Sequence, residues 1–205
     1  MSGCCNHDCE LDRLWQRQRG TLRIVLGINA VMFGVIASAA IYGDSSALLS
    51  DSLDNLGDAL TYALSLFAVS RDAAVKAKVA LFKGGLIFLA ASMVLARIGM
   101  KLIEPSIPVY EIMTTFSLLG LAANLVCLLL LWRHRNDDVN MSSVWECSRN
   151  DIASNLSVLL ASAGVWFTAS GWPDIVVASC LALLLLWSAA RVISAASGEL
   201  RAAKA

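Results

Sequence analysis

The chain has 205 residues, 58% of them hydrophobic and only 16% charged, with a mean hydropathy of +0.67. Soluble domains sit near ~45–50% apolar and ~25% charged, so the balance excludes an ordinary soluble domain and points to a membrane protein. The zero net charge decides little, because its distribution along the chain is what matters, and no nucleic-acid partner is expected.

Residues 1–20 read as a polar cytoplasmic tail with Cys4, Cys5, His7 and Cys9, followed by Arg13, Arg17 and Arg19. The tail puts four soft ligands within six positions, a set that could capture a metal ion, although the spacing fits no closed structural zinc pattern. No secretory signal is expected: a polar stretch comes first and no small-residue cleavage site follows, so the first span serves as an uncleaved anchor. The six cysteines have no disulfide-like spacing, which suits a reducing cytosol.

Six apolar stretches follow, at 21–42, 46–70, 77–100, 108–132, 142–169 and 173–196. Each is long enough to cross a hydrocarbon core of ~30 Å at ~1.5 Å per residue. The joins are short and polar, which forces antiparallel neighbours. The expected fold is an all-α membrane protein, a six-transmembrane-helix bundle spanning 21–197. Only a short tail, 198–205, lies beyond it.

Lysines and arginines crowd one side, at Arg23, Arg71, Lys76, Lys78, Lys83, Arg133, Arg135 and Arg191, while the other side has Arg97 and Lys101. The positive-inside rule makes both termini cytoplasmic. Trp132, Trp166 and Trp172 fall near span ends, as interfacial tryptophans do.

Charge inside the spans is concentrated in two places. In the second span Asp51, Asp54 and Asp58 stand at i, i+3 and i+7, on one helical face. In the fifth span lie Glu146, Cys147, Arg149, Asn150, Asp151 and Asn155, with Cys147 and Asp151 one turn apart. A charge at bilayer depth costs at least ~2.5–3.5 kcal/mol, so such groups point to function. Asp54 lies ~12 Å from the outer end of its span and Asp151 ~14 Å from the inner end of its own, so both come near the midplane.

Asp54, Asp58, Cys147 and Asp151 are therefore expected to converge on a divalent ion, and the sulfur ligand favours zinc or another borderline-soft metal. Ligands coordinate deprotonated, so metal and protons exclude each other, which is the basis of antiport. Asp51 lies a turn further out, as a relay or vestibule residue. Glu146 and Arg149 lie nearer the cytoplasmic mouth, in a water-filled funnel or a local salt bridge. Asn124 is expected to bond between helices, and Cys127 and Cys180 to fill space.

The stretch ALLSDSLDNLGD (47–58) resembles the zinc-exporter motif of the cation diffusion facilitator family, and WECSRND (145–151) resembles its fifth-span motif. The resemblance covers nearly all of 20–197. It implies ligands at Asp54, Asp58 and Asp151, with Cys147 where the family more often has His or Asp. It also implies export of a divalent metal from the cytoplasm by inward proton flow, in a homodimer joined through its transmembrane helices. The substrate would be zinc first, or cadmium or cobalt, with no resident cofactor and no enzymatic activity.

The match is to short bacterial members without the C-terminal cytoplasmic domain, in the inner membrane. Two competing functions are a non-transporting metal sensor or assembly partner, and a membrane-embedded metal-dependent phosphotransferase. The signature of the latter is absent, and Cys147 is a poor ligand for magnesium.

Overall fold

In the computed structural model the backbone is described for residues 4–68, 73–132 and 139–202, and side chains for 19–64, 66, 75, 77–132 and 150–201. Six helices account for nearly all of it: α1 (Cys4–Tyr42), α2 (Ser46–Ala68), α3 (Ala73–Ile103), α4 (Tyr110–Trp132), α5 (Val139–Thr168) and α6 (Trp172–Ala202). The expected all-α membrane architecture is present. Helix α1 begins at Cys4, so the backbone of the expected tail continues into the first span. The side chains of Cys4, Cys5, His7 and Cys9 lie outside the described residues.

Among the described residues, α1, α3, α4 and α6 are long and apolar enough to cross a membrane. Helices α2 and α5 are long enough, since 23 residues already extend ~34 Å at ~1.5 Å each. Among the described residues they fall short in apolar character because they contain Asp51, Asp54 and Asp58 in one, and Asn150, Asp151 and Asn155 in the other. The two polar helices are shielded by packing. Among the described residues, helix α2 touches all five other helices, whereas no other helix does.

Outward faces carry large apolar side chains such as Val31, Phe88, Leu89, Met93, Leu125, Leu160 and Leu184. On a soluble protein such a surface would be a liability, but against lipid tails it is the required one. Trp132 is exposed at the end of α4, and Trp166 and Trp172 flank the α5–α6 turn at the opposite end. The interior divides in two. A large cluster includes Ile36, Leu48, Val94, Met113, Val158 and Val165. A smaller one joins Val25, Tyr62, Cys127 and Leu131.

The end of the bundle where α1 meets α2 is held by ionic contacts. Ser45 is the N-cap of α2, its hydroxyl accepting the Leu48 N–H at 3.0 Å. The remaining free amides are satisfied from another helix. Asp174, fully buried in the first turn of α6, accepts the Ser46 N–H at 2.9 Å, the Ala47 N–H at 3.0 Å and the Ser45 hydroxyl at 2.6 Å. A carboxylate there also complements the positive end of the α2 dipole.

Lys101, near the end of α3, stands 3.5 Å from Asp174 and 3.5 Å from Asp44, and donates to the Asp44 carbonyl. Arg97 pairs with Asp44 at 2.7 Å. Asp44 itself sits at φ 50°, the left-handed conformation that usually calls for Gly or Asn after a helix. These ionic contacts offset the strain.

Partial burial by itself would raise the Asp44 pKa. The Ser106 hydrogen bond and the charges of Lys101 and Arg97 outweigh that effect and hold it below the ordinary value of 3.8. A depressed carboxylate stabilises the fold above its unfolded pKa, so this contribution is complete above 3.8 and disappears as pH falls through the lower, folded value.

Removing Asp174 leaves two helix amides without their acceptor and takes from buried Lys101 one of its two carboxylates. The Asp174→Ala variant is expected to lose about 3–5 kcal/mol, measured as unfolding in detergent, with Asp174→Asn losing less. A loss below about 0.5 kcal/mol would mean that the contacts do not hold α2.

Candidate metal centre

Helix α2 turns one polar face inward. Asp51, Asn55, Asp58 and Tyr62 are all buried along it, at spacings of three and four residues. Helix α5 answers with buried Asp151 and Asn155. The two helices use the same local device: Asn55 Nδ2 donates to the Asp51 carbonyl at 3.3 Å, and Asn155 Nδ2 to the Asp151 carbonyl at 2.9 Å. Both amide side chains thus bond back to their own helix beside a carboxylate.

Asp58 and Asp151 face each other across the α2–α5 interface, within side-chain reach and on the wall of one cavity. The Tyr62 hydroxyl donates to Asp58 from one turn away. Asp54 lies within electrostatic reach of Asp58 and Asp151, and its carboxylate accepts from Ser154 on α5. Two carboxyls this close repel each other when both are ionised, so the pair favours a shared proton or a bound cation.

The three aspartates line a cavity of about 490 Å³ bounded by α2, α3, α5 and α6, together with Lys83, Asn150 and Ser154. The cavity runs along α6 from Leu181 to Val192, with Trp187 on its wall. Trp187 stacks under the Arg191 guanidinium at 4.8 Å, as a cation over an aromatic face does.

Other residues take different positions. Asp51 is fully enclosed, and neither of its oxygens accepts a hydrogen bond among the described residues. The side chains of Cys147, Glu146 and Arg149 lie outside the described residues. Among those that are described, no three His, Cys, Asp or Glu side chains gather closely enough to bind one ion together. The touching pair is Asp58 and Asp151, with Asp54 turned toward Ser154.

Asn124 is buried, and its Nδ2 donates to no group among the described residues. Cys127 is buried on α4, receiving a long hydrogen bond from Asn29 at 3.8 Å, while Cys180 is exposed on α6. Gly120 on α4 packs directly against the Asn155 side chain, and a Cβ there would also meet Ile36 at 3.2 Å. This close approach lets α5 bring Asp151 inward.

A model of the cation efflux transmembrane domain matches residues 22–200. The chain belongs to the cation efflux family. The match includes all six helices and every aspartate of the cavity. Members of the cation efflux family are transporters and not enzymes, so this chain is a multi-pass membrane transporter of divalent cations. Comparison with curated proteins gives no match.

Lys83 and Ser154 were absent from the site expected on sequence grounds. Lys83 had a usable signal: it lies ten residues into α3, about 15 Å from the helix start, between Phe82 and Gly84. Ser154 had none, since a lone serine on a helix is ordinary.

The Cys127→Ala variant should cost about 1 kcal/mol in stability while leaving metal affinity unchanged. A loss of affinity exceeding about tenfold, by the usual 1.4 kcal/mol per decade, would put the thiol in the metal site.

Proposed function

We propose that the chain exports a transition-metal dication from the cytoplasm of a bacterial cell across the inner membrane, in exchange for protons. Zinc is the first candidate, with cadmium and cobalt as alternatives. The observation that carries the reading is the contact between Asp58 and Asp151, two carboxyls from separate helices meeting inside one buried cavity.

In the metal-free state a proton joins the pair. An arriving dication displaces it, and Asp54 swings from Ser154 to complete an oxygen set with Asp58 and Asp151. Cys147, one turn before Asp151 on α5, adds the sulfur ligand. Release to the opposite side follows when protons return to the carboxylates. The enclosed carboxyl of Asp51, between the site and the clamped end, suits a relay that passes those protons. Assembly as a homodimer rests on the family resemblance alone.

The test is the purified protein in liposomes with an internal pH dye and a metal indicator. Zinc movement should be matched by opposite proton movement. Asp54→Ala, Asp58→Ala and Asp151→Ala should each abolish it, and Asp51→Ala should slow it. Flux equal to wild type in the first three would dispose of the site. Zinc binding without any flux would favour a sensor. Cys147→His should retain transport and shift preference from cadmium toward zinc; an unchanged cadmium-to-zinc ratio would remove Cys147 from the ligand set.

A further inference from the structure

A lysine that starts near a helix end usually extends toward that end and keeps its ammonium in water. Lys83, ten residues into α3, has a polar partner within the bundle. It is only partly exposed, it lines the aspartate cavity, and its ammonium donates to the Thr61 hydroxyl on α2. Thr61 follows Asp58 by three residues, so it lies one turn along the same helix face. The Lys83 charge therefore stands beside Asp58, within its electrostatic reach. Close packing holds it there. Gly57 lets Ile87 of α3 approach α2, with its Cβ position 3.5 Å from Ile87 Cδ1. Gly84, the neighbour of Lys83, packs on Ile193 of α6, where a Cβ would come within 2.8 Å.

The geometry points to Lys83 as a resident counter-cation of the metal cavity, a specificity-determining residue that sets how tightly a dication is held. The inference rests on the metal-site reading above. Among the described groups lining the cavity, the ammonium offsets one of the three carboxylate charges. Without the ammonium the cavity carries an uncompensated third negative charge, and a dication is held by a deeper electrostatic well. A transporter must bind its ion and also let it leave, so the ammonium keeps the bound state shallow enough for release. The role uses the standing charge of Lys83 and needs no change in its protonation.

The experiment measures zinc affinity of the full-length protein in detergent, by competition with a chromophoric chelator, together with zinc flux in liposomes. Lys83→Gln should bind zinc about tenfold tighter and turn over more slowly at saturating zinc. Lys83→Arg, which keeps the charge, should tighten binding less. General damage to the fold would weaken binding, so tightening distinguishes the electrostatic role from a structural one. Asp58→Asn, run in parallel, separates the two layers of the argument. If Asp58→Asn loses zinc while Lys83→Gln binds no tighter than wild type, the role of Lys83 is overturned and the site stands. If Asp58→Asn binds zinc as wild type does, the site reading falls and the role of Lys83 falls with it.

Discussion

Carboxyl groups inside an apolar bundle are the constraint to which the remaining structure answers. At ~2.5–3.5 kcal/mol apiece on the least severe scale, three on one helix outweigh much of what that helix gains by leaving water. The fold answers by putting α2 where no face of it is left to lipid alone, in contact with all five other helices. Four strongly apolar helices supply the membrane anchorage, and α2 and α5 are free to be polar because their neighbours are not. The cost that remains is met locally. Asp58 has Tyr62 and Asp151, and Asp54 has Ser154.

The two ends of α2 are treated differently. At its N-terminus Ser45 and Asp174 satisfy the first amides, and Lys101 and Arg97 tie in the α1–α2 turn. The contacts there join three separate segments: the turn, the end of α3 and the start of α6. Farther along, α2 borders the cavity, and side chains from α3, α5 and α6 leave space between them. One end is thus a packed, ion-paired joint and the other a polar hollow. In an alternating-access cycle a transporter needs this asymmetry, since an ion site open on both sides would be a leak.

Much of this was legible in the chain. Six apolar runs with short polar joins specify six antiparallel helices, because helix length and loop length leave few alternatives. Helical spacing alone puts Asp51, Asp54 and Asp58 on one side of α2, and the structure adds Asn55 and Tyr62 to its buried face. Depths counted along two helices put Asp54 and Asp151 near a common level, because helical rise is constant. Cross-helix partners were not legible. Asp174 follows a proline at the start of α6 and reads as an ordinary turn residue, yet its side chain caps α2. Lys83 counted as one more inward-side lysine, since the positive-inside rule weighs which end of a helix a charge is near and not which way it points. Partners of this kind depend on the relative rotation of helices, which no single helix's sequence encodes.

Rotation also explains why Asp51 and Asp54, so near in sequence, have such different surroundings. Three residues turn a helix by about 300°, so neighbours at that spacing lie some 60° apart on its circumference. That angle turns Asp54 toward Ser154 and the cavity, and leaves Asp51 enclosed with no donor among the described residues. An enclosed carboxyl without a hydrogen bond is costly to retain. Asp54 and Asp58 offset their cost with partners in this very conformation, whereas Asp51 does not. The same 60° thus separates a carboxyl that borders the cavity from one packed inside the bundle.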